Sequence, residues 1–177
     1  MFKPHYPPHL YLDQKIYFIT ARTVNKKPFF NTDEKKRLLS KIIKEAGNKF
    51  KIKFYAWVIL DNHYHLLIKI LKGKKLPDFM KLINGKSAFL VNKLEKIQKR
   101  KIWFNYWDKC IRNESDFWKH FNYIHHNPVK HGNVGVQTSV CNYEFCSYRQ
   151  WFKKKGEQWL ISCFAANSIR DFTAEDI

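Results

Sequence analysis

Residues 50–71 constrain this chain most. Two runs rich in β-branched and aromatic residues, 50–60 and 63–71, are separated only by Asp61-Asn62. A short polar break between two such runs predicts a β-hairpin. Strict alternation along the first run puts Tyr55, Trp57 and Ile59 on one side and Phe54, Ala56 and Val58 on the other. In the second run His63 and His65 share one side, while Tyr64 and Leu66 point into the opposite layer.

The hairpin sits inside a longer alternation of elements. Residues 15–24 read as a strand, with a turn at Asn25-Lys26-Lys27-Pro28. Asn31-Thr32-Asp33-Glu34 starts a helix carrying Leu38, Leu39, Ile42, Ile43 and Ala46 at helical spacing, ended by Gly47-Asn48. Residues 73–77 form a basic turn, followed by a long amphipathic helix through Phe79, Met80, Ile83, Phe89, Leu90 and Leu94. Residues 102–112 are a fourth strand. Asn113-Glu114-Ser115-Asp116 caps a third helix, expected to stop near Asn127 because Pro128 and Gly132 follow. The order β-α-β-β-α-β predicts an α+β, ferredoxin-like (RRM-like) antiparallel sheet with helices on one face, plus an added C-terminal helix and tail. Residues 1–134 are expected to form one domain with an N-terminal arm. Residues 135–177 are expected as an aromatic and basic tail packing on that domain or on its ligand.

Composition narrows the partners. The chain has 177 residues, of which 45% are hydrophobic, enough for a core without disulfide staples. Its four cysteines form no C-x-x-C pair and read as reduced thiols in a cytoplasmic protein. No run of about 18 apolar residues exists to span a membrane, and Met1-Phe2-Lys3-Pro4-His5 opens no signal-peptide stretch. Lys and Arg number 33 against 15 Asp and Glu, a net charge of +18. Self-repulsion of that size is relieved by a polyanion, which makes nucleic acid the first candidate partner.

Two segments carry chemistry. Asn62-His63-Tyr64-His65 places two imidazoles side by side beside a turn, an arrangement suited to a divalent metal. Tyr123-Ile124-His125-His126-Asn127-Pro128-Val129 places Tyr123 and Asn127 four residues apart, on one helix face. A phenol, with a pKa of about 10, is a poor nucleophile on its own, and a metal polarising the phosphate lowers that demand.

Together these segments resemble the single-tyrosine HUH transposases, and more closely the REP-associated tyrosine transposases. Residues 17–23, residues 55–68, the helix end from Tyr123 to Val134, and Tyr143-Glu144-Phe145-Cys146-Ser147-Tyr148-Arg149 are each similar to segments of that family. The likeness spans roughly residues 5–155. Asp61 stands where the family often has Pro, His131 where it often has Ala, and Tyr64 where an aliphatic residue is usual.

The resemblance implies a metal-dependent endonuclease and strand transferase acting on single-stranded DNA beside hairpins. Tyr123 would be the nucleophile, giving a 5′-phosphotyrosine. His63, His65 and Asn127 would hold Mg²⁺ or Mn²⁺, with His126 and Asp61 as accessory groups. Hairpin reading by the arm and tail would fall to Lys3, His5, Tyr6, Tyr148 and Arg149. Charge and planarity add Arg22, Lys72, Lys74, Lys75, Lys86, Arg112 and Lys130 as DNA contacts. A monomer is favoured over a homodimer. The competing reading is a non-catalytic RRM-like binder of single-stranded nucleic acid, which would need stacking aromatics on an open sheet face.

Overall fold

The computed structural model describes residues 11–169. Four strands, β1 (Ile16–Thr23), β2 (Lys53–Ile59), β3 (His63–Lys69) and β4 (Trp103–Cys110), form one sheet in the order β2-β3-β1-β4, with every neighbouring pair antiparallel. Helices α1 (Asp33–Phe50) and α2 (Leu76–Leu94) cover one face. Helix α3 (Glu114–Lys130) covers the other, joined by α4 (Tyr148–Lys155) and α5 (Glu157–Ala166). The predicted β-α-β-β-α-β order and antiparallel sheet are both present.

With both faces covered, two cores form. Ile19, Leu39, Ile42, Tyr64, Leu66, Phe79 and Ile83 fill the first, between the sheet and α1/α2. Phe18, Val58, Leu67, Phe121, Ile124 and Leu160 fill the second, under α3. The central strands β1 and β3 are therefore buried almost throughout, β1 showing one continuous run from Tyr17 to Ala21.

Local chemistry explains most boundaries. Thr32 Oγ1 accepts from the Lys35 N–H at the start of α1, and Asn113 Oδ1 accepts from the Asp116 N–H at the start of α3. Three sequence expectations need correction. First, α1 does not stop at Gly47 but runs to Phe50, where Lys51 turns the chain at φ 54°. Gly47 is inside the helix because a Cβ there would lie 2.3 Å from Phe54 Cε2, so close packing against β2 needs the missing side chain.

Second, β2 does not alternate strictly. Phe54 pairs with Ile68 and Ala56 with Leu67, leaving Tyr55 as an extra residue. This bulge sends Phe54, with Trp57 and Ile59, to the α1 core, and Tyr55 to the α3 side, where it meets Phe117 edge-on at 5.2 Å.

Third, α3 passes through Pro128 and ends at Lys130. Proline removes one N–H, but the turn is held from both sides. Asn127 Nδ2 donates to the Tyr123 carbonyl at 2.8 Å. The Asn133 N–H reaches the Pro128 carbonyl and the Gly132 N–H the Val129 carbonyl, with Gly132 at φ +69°. That is a Schellman closure, for which glycine is the suited residue.

The described part of residues 135–177 packs on the domain. Cys146 bridges Val58, the Ile59 N–H donates to the Phe145 carbonyl, and the Ser147 N–H to the Trp57 carbonyl. The outer edge of β2 is thereby partly covered.

Candidate active site

His63 and His65 stand two residues apart on β3 and face α3, their rings 5.0 Å apart. Across the register, Thr20 of β1 pairs with His65 and Arg22 with His63. His65 is buried, and its Nδ1 lies 2.8 Å from Thr20 Oγ1. Its Nε2 has no hydrogen-bond partner. His63 Nδ1 lies 2.6 Å from Asn62 Oδ1.

Both imidazoles are held neutral. Burial, followed by the nearby His131, lowers His63 to about 4; a contact with Asn127 opposes the shift, and Lys130 and Arg22 add to it. Burial, with His63 and His131 next, takes His65 well below the ordinary histidine value. Neutral imidazole is the metal-binding form.

Helix α3 brings the third element. The Tyr123 ring lies edge-on to His65, 5.4 Å between centroids. Two turns on, Lys130 Nζ sits 3.4 Å from the Tyr123 hydroxyl and 5.0 Å from its ring centroid. Asn127, one turn from Tyr123, is fully buried. Its amide nitrogen is used on the Tyr123 carbonyl, and its Oδ1 lies by His63 without a hydrogen bond of regular geometry. A cleft of about 500 Å³ opens here, lined by Thr20, Arg22, Lys26, Asn62, His63, His65, Trp107, Tyr123, Lys130 and His131.

The expected site residues divide by position. His63, His65, Tyr123, Arg22 and Lys130 line the cleft, and Asn127 sits under Tyr123. His126 instead pairs with Gln137 Oε1 at 2.9 Å, and the Asp61 carboxylate pairs with Lys36 Nζ at 2.8 Å; neither lines the cleft. Lys72, Lys74 and Lys75 are exposed beyond the far end of β3. Arg112 is exposed beyond the end of β4 that pairs near Tyr17, also remote from His63. Lys86, on α2 across the sheet, pairs with Glu45 at 2.6 Å. Arg149 is exposed.

Tyr148 is 2% exposed within the second core, its ring 5.7 Å from His125. The expectation that it contacts DNA is therefore corrected: helix α4 turns it inward. Lys3, His5 and Tyr6 lie outside the described residues.

Sequence reasoning missed Thr20, Lys26, Trp107 and His131 as cleft residues. Strand parity could have found Thr20 once the β1–β3 register was known. His131 was visible only as a departure from a familiar pattern. Its ring lies 4.8 Å from His63. Among the described residues, no three His, Cys, Asp or Glu side chains converge as a metal-binding group. The candidate set is two imidazoles and an amide.

A His pair on a central strand thus faces a helix-borne tyrosine across an open cleft. The IS200-like transposase family matches residues 12–127, and the chain belongs to that family. It is thus an enzyme of the class that cuts and rejoins DNA, and membership points to a metal-dependent nuclease. A REP-associated tyrosine transposase of Escherichia coli (strain K12) is 29% identical over 174 residues, covering 93% of this chain and 92% of that protein. A REP-associated tyrosine transposase solved bound to a REP hairpin superposes with TM-score 0.73 at 23% identity, covering 97% of this chain and 96% of that one; it shares the fold. The reading as a non-catalytic binder gives way to the enzyme, and α3 covers the sheet face such a binder would leave open. No described helix is long and apolar enough to cross a membrane.

Proposed function

We propose that this enzyme cleaves and rejoins single-stranded DNA beside a hairpin, with Tyr123 as the nucleophile. The observation that carries the reading is the cleft in which the Tyr123 hydroxyl, the Lys130 ammonium and the neutral His63–His65 pair meet. The hairpin substrate is inferred from the relative named for REP elements and from the neighbour solved on a REP hairpin.

The donor set suits a divalent cation. His65 Nε2 is buried without a partner, Asn127 Oδ1 is buried with no regular hydrogen bond and faces His63, and Asn62 occupies only one nitrogen of His63. Leaving such atoms unpaired costs on the order of 1–3 kcal/mol each, which a bound cation offsets. His63, His65 and Asn127 would hold Mg²⁺ or Mn²⁺. When bound, the ion supplies charge stabilisation at the scissile phosphate.

The chain's own groups do the rest. The Tyr123 oxygen attacks phosphorus in line, forming an O–P bond as the P–O3′ bond breaks. The phenolic proton is released and the leaving 3′ oxygen takes one up, giving a 5′-phosphotyrosine and a free 3′-OH. Lys130, already donating to the Tyr123 oxygen, opposes negative charge on the phosphoryl group. The covalent link conserves the phosphodiester, so the reverse step joins a new strand. The proposed acting species is a monomer, with Tyr123 working beside the His pair of its own chain.

The test is an SDS-resistant protein–DNA adduct on labelled single-stranded hairpin DNA with Mn²⁺ or Mg²⁺. Wild type should form it; Tyr123→Phe and His63→Ala, each checked for native circular dichroism, should not. Survival of the adduct in Tyr123→Phe would assign attack to another residue and end this reading.

A further inference from the structure

The edge strand β4 carries a feature that the catalytic reading does not use. Its register on β1 slips: Arg22 pairs with Asn105 but Thr23 with Trp103, so Phe104 is an extra residue. Trp103 is buried against Phe30 and Tyr64 in the α1/α2 core. Trp107 pairs with Thr20, the residue that meets His65, and so lies on the opposite side, at the cleft. The bulge brings the Phe104 ring to that same side, 6.1 Å from the Trp107 ring. The Arg22 guanidinium lies 5.5 Å from one ring and 5.2 Å from the other. Lys101 Nζ is 5.8 Å from the Phe104 centroid.

Folding accounts for Trp103 but not for Phe104, which is 46% exposed. A large exposed aromatic on an edge strand promotes association, and a bulge that turns it outward sacrifices ladder pairing. Two rings and a planar guanidinium, fringed by cations, suit a flat π-face carried on a polyanion. We propose that Phe104, Trp107 and Arg22 form a stacking subsite for an unpaired nucleobase of the strand whose phosphate enters the cleft. Which strand it serves rests on the catalytic reading above; the stacking itself does not involve Tyr123.

The probe is fluorescein-labelled oligothymidylate, compared by anisotropy with the same oligomer carrying abasic sugars at its centre. Base–aromatic stacking is sequence-tolerant, so thymine serves. Wild type should bind the abasic oligomer roughly tenfold more weakly. Phe104→Leu and Trp107→Leu should lose a similar factor on oligothymidylate and nothing on the abasic oligomer, while Phe104→Trp should retain the wild-type preference. Phe104→Leu keeps an apolar side chain at an exposed position, so its fold is safe. Equal binding of the two oligomers by wild type, or equal loss on both by Phe104→Leu, would overturn the proposal. Adduct formation reports on Tyr123 separately. Wild type that shows no base preference but forms the adduct normally indicts the subsite, and a missing wild-type adduct with the base preference intact indicts only the nucleophile.

Discussion

His125 and His65 show how position alone sorts identical side chains. His65 has its Nδ1 on Thr20 and its other nitrogen unpartnered. His125, two residues from Tyr123 but not among the cleft-lining side chains, has its Nε2 2.7 Å from Ser147 Oγ and its ring edge-on to Phe121. Burial lowers His125 from 6.5 to about 3. Because the folded value is below the unfolded one, the unfolded chain binds more protons between those limits. Stability is therefore full above about pH 6.5 and falls as pH drops toward 3. At about 1.4 kcal/mol per unit, His125 alone should cost the fold on the order of 2–3 kcal/mol by about pH 4.5, and His63, held at about 4, acts in the same direction. Urea midpoints for wild type and His125→Gln at about pH 7.5 and 4.5 check this: the variant should show the shallower pH dependence. Of the candidate site, the His63–His65 pairing and the Tyr123–Asn127 spacing were legible in sequence, because strand and helix periods fix which near neighbours share a face. The roles of Thr20, Trp107 and His131 were not, since each depends on a partner element.

At the scale of elements, Ser147 joins three of them. Its hydroxyl accepts from the Trp57 N–H of β2 at 2.9 Å and contacts His125 of α3, and its own N–H donates to the Trp57 carbonyl. Ser147→Ala would leave the Trp57 N–H and the His125 nitrogen without their buried partner. The expected cost is about 2–3 kcal/mol, read from urea unfolding; a change under about 0.5 kcal/mol, the level of an ordinary surface substitution, would show that the junction contributes nothing. Helix ends depend on contacts at this same scale. Locally Gly47 reads as a stop because glycine often follows a helix, but here it makes room for Phe54. Pro128 reads as a breaker, but it lies near the end of α3, where Asn127 and the Gly132 closure satisfy the neighbouring carbonyls.

For the whole molecule, a net charge of +18 makes DNA affinity an electrostatic quantity. Raising salt from about 50 to 200 mM should weaken binding of single-stranded DNA roughly tenfold or more, linearly in a log–log plot; a flat response would remove phosphate contacts as the main source of affinity. The separation of Lys72, Lys74, Lys75 and Arg112 from the cleft implies that their single substitutions change this slope more than the yield of adduct at saturating DNA. Sequence by itself determined the element order, the hairpin at Asp61-Asn62, the shared face of His63 and His65, the caps of α1 and α3, and the basic character. All of these follow from covalent geometry and near-neighbour periodicity. Tertiary structure decided the bulges at Tyr55 and Phe104, the passage of α3 through Pro128 and the burial of Tyr148. It also decided which cations reach Tyr123. Each of these costs something locally, in lost ladder bonds or an interrupted helix turn, and is repaid by groups far away in the chain. No window of sequence contains both sides of that balance.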